Sequence, residues 1–424
     1  MKIRLALVLA AVIGRALAQD QQQYDQNDQA ALDLADKAAA APQEQAHDWR
    51  LAVEGAYERS SPEPGDTPSR DAGRESVDLH YDPSLAHGLH AVLADRLDVN
   101  EQAPYGTAEV NTLKEAYLSW QVRPEEILDL GRINVRNGVA FAYNPTDYFK
   151  DGAIRQIDSI NPAALRENRL GAVMLRAQSF WDGGSVTALV SPRLQGTPSS
   201  GPFSIDLGAT NSGNRWLVAL SQRLAQDLTP QLLLEGEEHR SPQVGLNLTR
   251  LLDQATVAYV EVSTGRSQPL TAQALGESAP STQVTRLATG LSYTTRWKLL
   301  LTLEYERNPV ALTASQFAQL AQQSLLGFER ALAQVSSSQD LPDRQALFVL
   351  AQWTDAGVRH LDLSGFVRLD LDDHSRLGWL EARYHWQRMD VALQLQEAGG
   401  SSATIYGNVT PKALGQLLVD FYLP

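Results

Sequence analysis

The sequence predicts an all-β protein, a transmembrane antiparallel β-barrel of about eighteen strands (16–18), with short periplasmic turns and long external loops. Three observations predict it. Many runs alternate apolar and polar residues with a period of two, the signature of strands. The connections between those runs alternate short and long. No later segment reaches the roughly 18 consecutive apolar residues that a spanning helix needs. A bilayer offers no water to unpaired backbone N–H and C=O groups, so strands cross it only as a closed barrel.

The N-terminus reads as an export signal. Lys2 and Arg4 precede an apolar run from Leu5 to Ile13, and Ala16-Leu17-Ala18 supplies small residues at a cleavage site, so residues 1–18 are assigned as a signal peptide. Residues 19–47, rich in Gln, Asp and Ala, hold too little bulky apolar content for a core and are expected to form a disordered periplasmic tail. Residues 48–424 are expected to form the barrel. The 424-residue chain carries 36 basic and 50 acidic residues and no cysteine. Loss of Lys2, Arg4 and Arg15 with the signal leaves 33 basic residues against the same 50 acidic ones, a balance that argues against nucleic acid as a partner. The lack of cysteine suits an oxidising compartment and supplies no disulfide framework.

Strands are expected at 48–59, 75–83, 87–98, 112–122, 126–136, 169–180, 184–194, 215–224 and 230–239, then at 242–250, 254–264, 285–295, 297–307, 344–353, 358–371, 375–386, 389–397 and 411–423. In the first half the pattern is carried by VDLHYD, where Val77, Leu79 and Tyr81 oppose Asp78, His80 and Asp82. The run from Glu115 to Val122 sets Ala116, Leu118, Trp120 and Val122 against Glu115, Tyr117, Ser119 and Gln121. In the second half Leu299, Leu301, Leu303 and Tyr305 oppose Thr302, Glu304 and Glu306. Leu361, Leu363, Val367 and Leu369 oppose Asp362, Ser364, Arg368 and Asp370. Leu380, Ala382, Tyr384 and Trp386 oppose Glu381, Arg383 and His385. The apolar parity is expected to face lipid and the polar parity the lumen.

Tight links (RPEE, WDGG, AQDLTP, LLDQ, TR) alternate with long ones at 60–74, 137–168, 195–214, 265–284 and 308–343. An even strand count returns both ends to the periplasmic side. Trp120, Trp181, Trp216, Trp297, Trp353 and Trp386 fall near strand ends, where aromatic girdles sit. One register slip stands out. Leu128 and Leu130 are even, whereas Ile133 and Val135 are odd, so either a bulge at Gly131-Arg132 re-aims the chain or the strand leaves the wall there. Residues 313–336 place Phe317, Leu320, Leu325, Phe328 and Leu332 at helical spacing, an amphipathic helix within an external loop.

A strand carrying EAYLSW, a short turn, a strand ending LGRINVRNG and a loop opening FAYNPTDYF resemble Gram-negative outer-membrane channels of the alginate-export type. The resemblance covers about residues 110–180 by motif and the remainder by architecture. It implies an eighteen-stranded barrel around a polar, Arg-rich conduit, without implying alginate itself. Two features depart from it. The chain ends Asp420-Phe421-Tyr422-Leu423-Pro424 rather than on an aromatic residue, and its acidic balance differs from that of a conduit for a polyanion.

Lumen-lining, selectivity-setting candidates are Glu115, Arg132, Arg136, Arg176, Glu304, Glu306, Asp362, Arg368, Asp370, Glu381 and Arg383. Lysine occurs six times (2, 37, 114, 150, 298, 412), which leaves thirty arginines among the 36 basic residues. Guanidinium forks grip carboxylates and phosphates, so inward arginines either line a path for an anionic solute or brace the wall by cross-strand pairing. In the third external loop, Tyr143, Asp147, Tyr148, Lys150, Asp151 and Arg155 are expected to form a constriction if the loop folds inward. His87 and His90 fall on opposite parities, and no Ser–His arrangement is selected by spacing, so no catalytic residue, metal or cofactor is assigned. The acidic turn at Asp370, Asp372 and Asp373 is read as a solvated hairpin. The expected function is a bacterial outer-membrane channel, a porin or export conduit, for polar or charged solutes or an exported polysaccharide. Its partners are outer-membrane lipid and the solute, with a periplasmic or outer-membrane protein as a further partner. The alternative is a structural barrel that sheathes or anchors a partner protein.

Overall fold

A computed structural model describes residues 48–61, 70–102, 106–275, 277–323, 325–409 and 411–423, so the expected signal peptide and tail lie outside the described residues. Eighteen long strands form one antiparallel sheet: β1 Trp49–Ser60, β2 Asp71–Tyr81, β3 Leu89–Gln102, β4 Gly106–Arg123, β5 Glu126–Ile133, β6 Ala172–Trp181, β7 Gly184–Ser191, β8 Arg215–Gln222 and β9 Gln231–Glu237. The second half continues with β10 Gln243–Asp253, β11 Thr256–Ser267, β12 Thr282–Thr294, β13 Leu299–Arg307, β14 Gln345–Trp353, β15 Leu361–Asp370, β16 Arg376–His385, β17 Met389–Gly399 and β18 Ala413–Leu423. A three-residue piece, Ser84–Ala86, pairs with β3 at the first turn. Each long strand overlaps one expected from the alternation. Among the described residues the connections carry helical segments α1 Pro162–Glu167, α2 Leu207–Thr210, α3 Leu270–Leu275, α4 Ala314–Gln323 and α5 Leu325–Ser338. The amphipathic helix expected at 313–336 is met by α4 and α5, which cover residues 314–323 and 325–338 of the described chain.

Every strand pairs with its sequence neighbours, and β1 closes on β18 from Leu51 opposite Leu423 to Ser60 opposite Leu414. Closure gives every strand a partner on both sides, the condition for strands to stand in hydrocarbon. The faces divide as the alternation predicts. Val53, Val77, Leu130, Val190, Leu232, Leu303, Val367, Leu380 and Leu393 are exposed on the outside, while Asp98, Thr112, Asp129, Glu235, Asn247, Glu261, Thr302, Glu304 and Gln416 are buried inside. Exposed Trp49, Tyr81, Trp120, Trp181, Tyr293, Trp353 and Trp386 mark the end with the short turns, and Tyr57 and Trp216 mark the other. Trp297 lies in the turn between β12 and β13 rather than on a strand.

The slip near Gly131 is resolved by departure, not by a bulge. Tyr117 to Gly131, Leu118 to Leu130 and Ala116 to Arg132 keep one register, and β5 ends at Ile133. Gly131 sits at φ 139°, where a Cβ would lie 2.3 Å from the Ala116 carbonyl oxygen, so only glycine fits at this bend. The register shift occurs one strand earlier: Ala94 faces Glu115 while Asp95 faces Leu113, leaving Lys114 as the extra residue. The Lys114 carbonyl is then free to accept the Gly171 amide at 2.9 Å, which fixes where the chain re-enters the wall.

Candidate pore constriction and its anchors

Where β5 leaves the wall, residues 134–171 fold into the barrel and touch most of its circumference. The decisive contacts are made by two wall glutamates, Glu261 on β11 and Glu304 on β13, both fully buried. Glu261 accepts the amides of Val139 (2.9 Å), Ala140 (3.1 Å) and Thr146 (2.8 Å), the Thr146 hydroxyl (2.8 Å) and the Asn144 side-chain amide (3.2 Å). Glu304 accepts the amides of Phe141 (2.8 Å), Ala142 (3.3 Å) and Tyr143 (3.1 Å) and the Tyr259 hydroxyl at 2.7 Å. A loop crossing a lumen has no ladder to satisfy its amides, and a buried carboxylate has no water to satisfy its lone pairs. Each supplies what the other lacks. Gly138, at φ 105°, makes the approach possible, because a Cβ there would stand 2.7 Å from both Glu261 carboxylate oxygens.

The opposite wall grips the same loop through ion pairs. Asp158 meets Arg74 at 3.3 Å and Arg96 at 3.2 Å; those arginines also hold Glu54 at 2.5 and 2.9 Å, and Arg96 reaches Asp98 at 2.9 Å. Between these anchors, apolar packing seats the loop. Phe149 and Tyr148 pack among Ile133, Met174, Leu189, Leu217 and Leu233, and Phe141, Ala142 and Ile160 lie on Phe348, Phe366 and Trp379. The Tyr148 hydroxyl is 3.0 Å from the Ser263 hydroxyl, and the Thr146 hydroxyl oxygen lies 2.9 Å from the Asn247 side-chain oxygen. Within the loop, Arg169 and Asp147 form a bidentate pair at 2.9 and 3.2 Å, each side chain 1% exposed.

A second connection, 308–344, locks onto the first. Lys150 pairs with Asp340 at 3.3 Å and lies 5.0 Å from the centre of the Tyr143 ring; the Tyr143 hydroxyl donates to Asp340 at 3.4 Å. Burial by itself would raise the Asp340 carboxyl, but Lys150 and Arg286 outweigh it and hold it below the ordinary aspartate value. Phe317 and Phe328 of α4 and α5 pack with Leu312, Ala331, Ile405 and Tyr406, so the helices form part of a cap over the same end.

The structure places the sequence-selected residues in different surroundings. Arg176 pairs with Asp129 at 2.8 Å, and Glu381 and Arg383 pair at 3.1 Å beside Asp390 and Asp420, on the inner wall with partial exposure. Glu115 accepts the Asn134 amide at 3.3 Å, Arg136 is exposed on the loop, and Asp362 accepts the Asp355 amide at 3.0 Å near the short-turn end. Glu304, Glu306 and Asp370, expected on the pore surface, are instead sealed from solvent: Glu304 holds the loop, Glu306 pairs with Arg368 at 3.0 Å, and Asp370 accepts the amides of Asp372 and Asp373. Arg132 shares the outward parity of Leu130 and bonds the carbonyls of Gly171 and Ile205. Arg155 donates to the carbonyls of Asn111 (2.6 Å), Ser204 (2.6 Å) and Gly201 (2.7 Å), and Asp151 meets Arg240 at 3.5 Å.

Solved structures share this architecture. Pseudomonas aeruginosa OccK5 (OpdH) aligns over 89% of this chain and 98% of its own at 11% identity and TM-score 0.53. Acinetobacter baumannii OccAB1 aligns over 88% and 96% at 8% identity and TM-score 0.55. P. aeruginosa OccK2 (OpdF), solved in complex with glucuronate, aligns over 89% and 97% at 10% identity and TM-score 0.52. The chain has their fold. No protein-family model matches the sequence, and no curated protein matches it.

Glu261, Arg96, Glu54 and Arg169 were not among the residues selected from the sequence. Glu261 carried a signal, since it lies on the inward parity of TVAYVEVSTG between Tyr259 and Ser263. Its partners, 115 to 122 residues away, carried none.

Proposed function

We propose that this chain is a bacterial outer-membrane porin that passes small polar solutes through an eyelet formed by loop 134–171. The loop's attachment to opposite walls, through Glu261 and Glu304 on one side and Arg74 and Arg96 on the other, carries the proposal. A structural barrel needs no segment braced across its interior, whereas a selective channel needs a narrow place held at fixed geometry. An exported polysaccharide, the other solute class expected from the sequence, is disfavoured by the same loop, because a polymer needs a wide continuous passage.

The solute class proposed is a small anion. Arg136 and Arg176 reach solvent on the loop and inner wall, and guanidinium forks match carboxylate oxygens. The glucuronate held by OccK2, a barrel of the same fold, is compatible with that choice. Purified protein in planar bilayers is expected to give ohmic steps whose reversal potential in a salt gradient shows anion preference. Cation preference would overturn the solute class, and a silent barrel that co-purifies with another subunit would overturn the channel.

A further inference from the structure

We infer that residues 201–206 form part of the barrel wall and present Phe203 and Ile205 to the acyl chains of the outer leaflet. Beyond Ala116, β4 has lost its neighbour, because β5 leaves the wall at Ile133 to feed the constriction loop. Strand β4 nevertheless runs on to Gly106, paired on its other side with β3. Its unpaired edge would expose backbone groups at membrane depth, which hydrocarbon does not tolerate.

That edge is covered by irregular backbone rather than by a strand. The Asn111 amide donates to the Pro202 carbonyl at 2.8 Å, the Asn111 carbonyl accepts Arg155 at 2.6 Å, and the Lys114 carbonyl accepts Gly171 at 2.9 Å. Arg155 and Arg132 then hold the covering segment from within, through the carbonyls of Ser204, Gly201 and Ile205. On the far side, Asn211 bonds both backbone groups of Val173, at 2.9 and 2.8 Å, at the end of β6. With its polar groups satisfied inward, the segment exposes apolar side chains outward: Phe203 is 63% and Ile205 51% exposed.

Their height fits lipid. Trp120 marks the short-turn girdle, and Asn111 lies nine residues farther along the same strand. At roughly 3.3 Å per residue and about 40° of tilt, that is about 23 Å, close to the roughly 25 Å of an outer-membrane apolar band. Phe203 would thus join Tyr57 and Trp216 in the outer girdle, continuous with the lipid face at Leu130 and Val190.

The chain has no cysteine, so single cysteines can be placed without background. F203C and I205C would be labelled with an environment-sensitive fluorophore in proteoliposomes, with L130C as the lipid-facing reference and D182C as the aqueous one. Quenching by spin-labelled acyl chains and not by iodide, as at L130C, is expected. Iodide quenching, protection from both quenchers, or a disulfide-linked dimer through F203C, which would mean that a second copy covers the patch, would each overturn the inference.

Discussion

Glu261 and Glu304, on the wall built by β11 to β13, and the inward acids of the wall built by β1 to β3 share one parity and are used in opposite ways. At β1 to β3 three inward acids have guanidinium or ammonium partners: Glu54 with Arg74 and Arg96, Asp98 with Arg96, Asp78 with Lys114. Among the described residues no cation pairs with Glu261 or Glu304; their partners are amides and hydroxyls, mostly from a segment more than 100 residues away in sequence. One wall is braced by itself and holds the loop at one aspartate. The other is completed only when the loop is in place. An inward glutamate is therefore not by itself a pore-lining charge; what it faces decides.

The largest effect separating the walls is expected from E261A/E304A. Removing both acceptors orphans the amides of residues 139 to 143 and 146, at about 1–3 kcal/mol per buried unsatisfied group. Loop 134–171 should detach, and single-channel current should rise and become noisy. R96M attacks the other wall by leaving Glu54, Asp98 and Asp158 short of a cation, a loss of about 3 kcal/mol measured by denaturant unfolding in detergent. Its channel should keep discrete steps, because the amide anchor is intact. If R96M opened the channel more than E261A/E304A does, the contrast between the walls would be broken.

G138A is expected to fall next. A Cβ would press on the Glu261 carboxylate, and a left-handed conformation costs a non-glycine residue about 1–2 kcal/mol. Current noise should rise as in the glutamate variants, while an alanine at Gly55, where a Cβ meets nothing within 4 Å, leaves the trace unchanged. The smallest effect is set by pH. The Asp340 carboxyl is depressed in the folded state, so its contribution is fully present above the unfolded aspartate value and is lost as pH falls through the folded one. Recordings stepped below about pH 4, the ordinary aspartate value, should show loop flicker at a higher pH in K150M than in the parent. Identical acid profiles would remove Lys150–Asp340 as a tie between the two loops.

Much of the barrel was legible because period-two alternation is a local signal that closure enforces along every strand. Leu303, Glu304, Tyr305 and Glu306 announced their faces without any knowledge of partners. The end of β5 was legible only as a conflict between Leu130 and Ile133; its cause, a glycine bend into the lumen, depended on tertiary contacts. Arg132 and Arg155 misled because an arginine near a pore reads as a selectivity residue, whereas here both bond carbonyls that hold segment 201–206. Glu304 was correctly placed inward, but its burial was set by Phe141 to Tyr143, 161 to 163 residues away. Loop-to-wall pairing of that separation leaves no periodic trace.

The isosteric variant E261Q/E304Q, recorded as single channels beside the parent and E54Q, tests the central claim most directly. It keeps side-chain volume but turns each carboxylate into an amide whose NH2 faces the loop's N–H groups. Steps larger and noisier than those of the parent, with E54Q near the parent, are the predicted result. Parental steps from a variant that folds normally would contradict the claim that these two buried glutamates hold the constriction in place.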